Sequence, residues 1–149
     1  MCDLNEIIRT VIDYTWREDR RVPPVVLSLS SGQLLVKSEK IDLERLVSNL
    51  FTNALKFSVS NKPITITSGL CSPGDGPYFT VNNFGPVILP SETQQIFERY
   101  SRTSSSKGVA GSGLGLYIVR LILDKMGGQI EVTSSNEEGT TFKVSLRPS

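Results

Sequence analysis

The stretch from Lys40 to Ser58 reads KIDLERLVSNLFTNALKFS and carries the longest helical pattern of the chain. Its apolar residues recur every three or four positions, as a buried helix stripe requires, and they are Leu43, Leu46, Val47, Leu50, Ala54 and Phe57. Four polar residues fall within about 80° of one another on the same helix, namely Arg45, Asn49, Asn53 and Lys56. Amide oxygens are fair ligands for a hard cation and lysine suits phosphate, although an ordinary solvated helix face fits this stripe as well.

Helical and strand patterns follow one another on both sides of this stretch. Helices are predicted for residues 3–17, 40–58, 91–98 and from 114 to the Gly127-Gly128 pair, with Asp3 as the cap of the first. Strands are predicted for residues 25–29, 34–36, 64–68, 78–81, 129–134 and 140–146. The last four strands form two hairpins. This order predicts one α+β domain over residues 1–149, a two-layer α/β sandwich in which a mixed, mostly antiparallel sheet carries helices on one face.

Composition excludes several kinds of function. Lys and Arg number 16 against 15 Asp and Glu, and this balance gives no reason to expect nucleic acid or a membrane surface as partner. The chain contains no histidine, which excludes Ser-His-Asp and Cys-His catalysis and any histidine-ligated metal. Cys2 and Cys71 are too few and too far apart for a disulfide scaffold, so reduced thiols in a cytoplasmic compartment are expected.

Two glycine-containing segments are candidates for ligand contact. The sequence GVAGSGLGL at residues 108–116 leads directly into the last helix. Its glycines let backbone N–H groups approach a ligand, and the helix N-terminus that follows offers donors to phosphate. It is neither a P-loop nor a dinucleotide fingerprint, and a flexible hinge is the alternative. The sequence VNNFGPVI at residues 81–88 leaves a strand through a tight turn, which a plain turn would also explain.

Four short motifs, taken together, resemble those of one family. NLFTNALKFS at residues 49–58 resembles the N box of the sensor histidine kinases, and NFGPVI at 83–88 stands where their G1 box belongs. IFERYSR at 96–102 resembles the F box, and GSGLGL at 111–116 resembles the G2 box. In this order and spacing they cover most of the chain. The chain therefore looks like the catalytic ATP-binding domain of a two-component sensor kinase, within the GHKL ATPase superfamily.

The resemblance implies ATP and Mg²⁺ as cofactors and a role for each matching residue. Asn53 would ligate the Mg²⁺ that bridges the phosphates, Lys56 would neutralise phosphate charge, and Phe57 would lie near the adenine or ribose. Arg102 would reach the γ-phosphate from the expected ATP lid, residues 99–112. The other implied nucleotide contacts are Asn83, Gly85, Ile88, Arg99, Gly111, Gly113, Leu114, Gly115 and Leu116.

The residue at position 49 helps to choose within the superfamily. Hydrolytic relatives that are similar to gyrase and MutL carry a glutamate one turn before the magnesium-binding asparagine, and that carboxylate activates water as a general base. Asn49 is an amide that takes no proton at neutral pH. This favours phosphoryl transfer to histidine over a GHKL hydrolase or a serine kinase of the anti-sigma type.

Two residues depart from the G1 pattern of the family. Asn83 stands where an aspartate usually accepts a hydrogen bond from the adenine amino group, and an amide could also donate to a guanine carbonyl. Val87 replaces the second glycine of the box, and its β-branched side chain predicts a narrowed or remodelled base pocket. These changes leave a second function open, a degenerate module that senses nucleotide or docks partners.

The resemblance also implies partners. The phosphoaccepting histidine of such kinases lies on a separate helical dimerisation domain of the same protein, and a response regulator acts downstream. This histidine-free chain is therefore expected to be inactive alone. Residues 1–17 would form the junction toward that dimerisation domain. The chain is expected to be cytoplasmic, without membrane contact of its own, or to be the cytoplasmic portion of a membrane-anchored sensor.

Overall fold

The computed structural model describes residues 1–18, 23–59, 61–72, 75–98 and 114–148. The α-helices in these ranges are α1 (Leu4–Glu18), α2 (Lys40–Phe57) and α3 (Gly115–Met126). The strands are β1 (Cys2–Asp3), β2 (Val25–Ser28), β3 (Leu35–Val36), β4 (Ile64–Leu70), β5 (Pro77–Asn83), β6 (Gln129–Ser135) and β7 (Gly139–Ser145). The three long helices and six of these strands match the elements predicted from the sequence.

Five strands form the larger sheet of the described ranges, in the order β2-β4-β5-β7-β6. β2 pairs with β4 in parallel, and the other pairs are antiparallel, which confirms the predicted mixed sheet and both hairpins. Alternate side chains of β4, β5 and β7 are buried in the core, because successive residues of a strand point to opposite faces. They include Ile64, Ile66, Phe79, Val81, Phe142 and Val144. The helices pack on this face, as predicted.

Helices α1 and α2 bury their apolar stripes in the same core. The buried side chains of α1 are Leu4, Ile7, Ile8, Val11 and Ile12. Asp3 caps α1 as predicted, since its Oδ1 accepts a hydrogen bond from the Asn5 N–H at 3.1 Å. The same oxygen accepts from the N–H of Leu34 at 3.2 Å. The helix expected to lead to another domain is thus also packed firmly into this one core.

The prediction of a helix at residues 91–98 is wrong. Two 3₁₀ turns, Pro90–Glu92 and Gln95–Phe97, occupy that segment, because so short a run cannot sustain α-helical hydrogen bonding by itself. The Phe97 ring instead anchors the segment by an edge-on contact with Phe142, with 6.2 Å between ring centroids. The antiparallel pairing of β1 with β3 was not predicted. No helix within the described ranges combines the length and apolar character needed to cross a membrane.

Candidate functional site

The C-terminal half of α2 carries the polar stripe predicted from the sequence. The fully buried face of the helix points into the core. Asn49, Asn53 and Phe57 lie half-buried beside that face, and Lys56 is exposed. From Arg45 to Phe57 the helix contains no carboxylate. This part of α2 therefore offers amide and ammonium groups, but no general base, to a ligand.

The end of α2 is fastened to the turn that follows β5. The N–H of Val59 donates a hydrogen bond to the carbonyl oxygen of Phe84 at 2.7 Å. A Cβ built on Gly85 would lie only 1.9 Å from the carbonyl oxygen of Phe57, so only glycine permits this approach. Asn83, the last residue of β5, is 4% exposed, and its Nδ2 lies 3.5 Å from the same Cβ position. The structure thus brings the predicted residues Phe57, Asn83 and Gly85 together.

A pair of hydroxyl groups on the neighbouring strands supports this turn. The Thr140 Oγ1 and Ser134 Oγ atoms are 2.6 Å apart, and Ser134 Oγ accepts a hydrogen bond from the Ile88 N–H at 2.9 Å. Thr140 is directly opposite Asn83 in the β5–β7 register. We did not predict a role for either hydroxyl residue. The alternating pattern of β7, which places Thr140 on the face of Phe142, is the sequence signal that could have indicated one.

Two further residues border the turn. Lys62 Nζ lies 4.6 Å from the centroid of the Phe84 ring, a cation–π contact that the sequence did not indicate. Val87 is half-buried within the same turn, beside the hydrogen-bonded N–H of Ile88. The effect predicted for Val87 on a base pocket stays a prediction.

Helices α2 and α3 are in contact near the ends that lie away from Asn53 and Gly115. Helix α3 packs along α2, and Lys125 near its end forms an ion pair with Asp42 in the first turn of α2. This ion pair places the last turn of α3 beside the first turn of α2. From this contact, α2 rises about 16 Å to Asn53 and α3 extends about 15 Å back to Gly115, so the two residues lie at similar distances from it along their own helices.

The space beside Gly115 is open. No atom of the described part of the chain lies within 4 Å of a Cβ built on Gly115. The flanking residues Leu114 and Leu116 are half-buried, and Leu114 makes no side-chain cap for the helix. The first N–H groups of α3 have no partner within the helix, and a ligand could accept hydrogen bonds from them. Other predicted site residues lie outside the described residues, namely Arg99, Arg102, Gly111 and Gly113 together with the rest of the lid at 99–112.

The donor groups at this site fit a magnesium ion bound together with phosphates. No cluster of three or more Cys, Asp or Glu side chains that could hold a metal occurs among the described residues. Mg²⁺ commonly takes only one or two protein oxygens and completes its shell with phosphate oxygens and water. The Asn53 side chain, half-buried on α2, would supply one such oxygen.

Comparisons with known proteins agree with this architecture. A family model described as "Histidine kinase-, DNA gyrase B-, and HSP90-like ATPase" matches residues 38–149. The sensor protein EvgS of Escherichia coli K12 is 34% identical over 128 residues, which is 82% of this chain and 11% of EvgS. The histidine protein kinase SaeS of Staphylococcus epidermidis is 36% identical over 107 residues, 70% of this chain and 30% of SaeS.

Solved structures agree over almost the whole chain. A mycobacterial sensor histidine kinase, MprB, superposes with a TM-score of 0.87 at 28% identity and covers 99% of both chains. The catalytic domain of the histidine kinase ThkA gives 0.79 at 27% identity, over 98% of this chain and 95% of that one. The chain spans only 11% to 30% of the length of the first curated relatives it matches. It belongs to the histidine kinase-, gyrase B- and HSP90-like ATPase family, the GHKL superfamily, as a catalytic ATP-binding domain of the sensor histidine kinase type.

Proposed function

We propose that this domain binds Mg–ATP and donates the γ-phosphoryl group to a histidine on a separate dimerisation domain, in two-component signalling. One observation carries the proposal: the amide stripe of α2 and the open start of α3 lie about equally far from the ion pair that joins the two helices. The buried end of β5 meets the C-terminal end of the same α2 stripe through the contact of Gly85 with Phe57. A nucleotide can then lie with its base near Asn83 and its phosphates near Gly115.

The proposed site residues fall into two groups, one that contacts the base and ribose of the nucleotide and one that contacts its phosphates. Those proposed for the base and ribose are Phe57, Asn83, Gly85 and Ile88. Those proposed for the phosphates are Lys56, the backbone N–H groups of residues 113–115, and Arg99 and Arg102 of the lid. Lys56 is exposed and would reach phosphate as a flexible point charge, whereas the N–H group of Gly115 is fixed by the start of α3.

Asn53 is proposed to hold the Mg²⁺, which neutralises charge on the β- and γ-phosphates when it is bound. Asn49 lies one turn earlier and, being neutral, does not activate water for attack on the γ-phosphate. The two carboxylates of α2 precede Arg45: they are Glu44 and Asp42, which is engaged by Lys125. The bond from the γ-phosphorus to the leaving diphosphate therefore breaks as a bond to the acceptor histidine nitrogen forms, with hydrolysis suppressed.

Calorimetry with the non-hydrolysable analogue AMPPNP tests the binding half of this proposal. Wild type is expected to bind AMPPNP more tightly with Mg²⁺ than without it. Asn53→Ala is expected to lose about tenfold in affinity and most of the Mg²⁺ dependence, because it removes a charge-assisted ligand. Thr52→Ala is the matched control, since Thr52 is exposed on the adjacent position of the same helix. Absence of binding by wild type under both conditions contradicts the proposal.

Phosphoryl transfer distinguishes a kinase from a nucleotide-sensing module. The chain is incubated with labelled ATP and the dimerisation domain of its own protein, and label on histidine is measured. The proposal expects transfer to histidine that exceeds hydrolysis. The second candidate function is a degenerate module that senses nucleotide or docks partners, and it is favoured by Asn83 and Val87, which depart from the G1 pattern of the family. Binding of Mg–AMPPNP without any phosphoryl transfer would support that candidate instead.

A further inference from the structure

The two ends of α3 are held very differently. Its C-terminus closes on Gly127, which has a φ of 72°, and the N–H of Gly128 donates to the carbonyl of Leu123 at 2.9 Å. Arg147 Nε donates to the carbonyl of Gly127 at 3.2 Å. At the other end, Leu114 provides no side-chain cap and the space beside Gly115 is open within the described ranges. The helix is therefore fixed at the end away from the proposed phosphate site.

A charged contact joins that fixed end to α2. Lys125 Nζ lies 2.8 Å from Asp42 Oδ2 and 3.7 Å from Glu39 Oε1. The Asp42 side chain is only 13% exposed, whereas the Lys125 side chain is 59% exposed. Asp42 lies in the first turn of α2 and Lys125 in the last turn of α3, so each charge is also favoured by the dipole of its own helix.

This contact fixes the position of one helix along the other. Both helices also bury apolar side chains in the shared core, such as Leu46, Val47 and Val119, and apolar contacts can repack with small shifts. Displacing Lys125 would leave the largely buried Asp42 carboxylate without this hydrogen bond, which is costly, so the pair resists displacement. A shift of α3 along its axis would move Gly115 relative to Asn53 by the same amount, because the helix transmits it rigidly.

We propose that the Asp42–Lys125 ion pair is a positioning contact that sets the separation between Asn53 and the start of α3, and thereby the affinity for the triphosphate part of the nucleotide. This inference rests on the proposed function. Neither residue touches the nucleotide. The base end of the site is built instead on the contact of Gly85 with Phe57 and does not depend on this pair.

The experiment compares two ligands on one set of variants. Binding of Mg–AMPPNP is measured by calorimetry, and binding of adenosine by nuclear magnetic resonance titration. Lys125→Met is expected to weaken Mg–AMPPNP binding about threefold to tenfold, which lies within the range for remote residues that couple to a site. Its affinity for adenosine is expected to match wild type. Lys125→Arg retains the ion pair and is expected to bind both ligands as wild type does.

Arg120→Met is the control for simple loss of charge. Arg120 lies on the same helix, exposed, and packs over the Tyr117 ring instead of α2. It is nearer than Lys125 to the start of α3, so a long-range electrostatic effect would lower Mg–AMPPNP affinity more in Arg120→Met. The proposal expects the opposite order, with Lys125→Met the weaker binder.

Several outcomes overturn the proposal. Equal losses for adenosine and Mg–AMPPNP in Lys125→Met would indicate general destabilisation, and no loss for either would show that the pair has no positioning role. In the double variant Asp42→Asn with Lys125→Met, affinity is expected to be no lower than in the weaker single variant, and additive losses contradict a shared role. Failure of wild type to bind Mg–AMPPNP overturns the proposed function itself, which distinguishes that result from failure of the pair alone.

Discussion

Substituting Gly85 by alanine tests the junction between α2 and β5 on which the base end of the site depends. The new Cβ would lie 1.9 Å from the Phe57 carbonyl oxygen and 2.9 Å from its carbon. The two backbones must separate by about 1.1 Å before the nearer contact reaches 3.0 Å. Overpacking of this kind costs about 1–3 kcal/mol, and loss of the Val59–Phe84 hydrogen bond adds about 1 kcal/mol. We therefore expect Gly85→Ala to lower the free energy of unfolding by about 3 kcal/mol.

Urea unfolding followed by circular dichroism measures this loss, and thermal unfolding should show a Tm lower by about 9 °C. Gly32→Ala is the matched control, because no described atom lies within 4 Å of a Cβ built there. Its stability is expected within about 0.5 kcal/mol of wild type. If the two variants have the same stability, α2 and the turn after β5 are not in the contact described, and the argument for the base end fails.

Four further predictions follow from other contacts. Gly115→Ala should keep or slightly raise Tm, because its Cβ meets open space, but it should weaken Mg–AMPPNP binding about tenfold in calorimetry. Unchanged affinity would contradict the proposal that phosphate binds at the start of α3. Ser58→Ala should raise stability in urea by about 1 kcal/mol, because the Ser58 hydroxyl is buried without a partner within the described part of the chain, and a loss would contradict this. Asn83→Asp should strengthen ATP binding and ATP-over-GTP selection about fivefold in competition titrations, through a charge-assisted hydrogen bond, and equal selectivity would refute it. The hydrogen bond from Lys125 to Asp42 raises the pKa of Lys125 above its ordinary 10.5, and the charges of Asp42 and Glu39 raise it further. The ion pair therefore stabilises the fold fully below pH 10.5, and this stabilisation disappears as the pH rises through the raised pKa. The stability difference between wild type and Lys125→Met should therefore be equal at pH 7 and 9 and narrow above pH 10.5; a difference that grows there would contradict the assignment.

Local sequence patterns predicted most of the fold. The stripe in residues 40–58 gave α2 to within one residue, because an amphipathic period is a property of neighbouring residues. The turn residues around Asn136–Gly139 likewise indicated the β6–β7 hairpin, in which Gly139 has a φ of 78°. The pairing of β1 with β3 joins Cys2 to Val36 through two-residue strands, and nothing local to either strand indicates it. The parallel pairing of β2 with β4 was missed for the same reason.

The site also combines residues that local sequence could indicate with contacts between distant segments that it could not. Asn53, Lys56 and Phe57 are on one segment, so their shared position on α2 could be predicted from helical spacing. Ser134 accepts a hydrogen bond from Ile88, and Thr140 is opposite Asn83, only because β5, β7 and β6 are neighbours in the sheet. The ion pair of Asp42 with Lys125 joins residues 83 positions apart, which no motif contains. The roles of the residues at 99–113 stay predictions, since they lie outside the described residues.

The most direct measurement of the central claim uses Mn²⁺ in place of Mg²⁺, since a paramagnetic ion broadens the resonances of nearby amides. Spectra are recorded with Mn²⁺ alone and with Mn²⁺ and AMPPNP together. If one metal-bound triphosphate lies between α2 and α3, the amides of Asn53 and Gly115 broaden together, and only when the nucleotide is present. Glu131, on the other face of the sheet, keeps its line width. Broadening at only one of the two helices, or the same broadening without AMPPNP, contradicts the account.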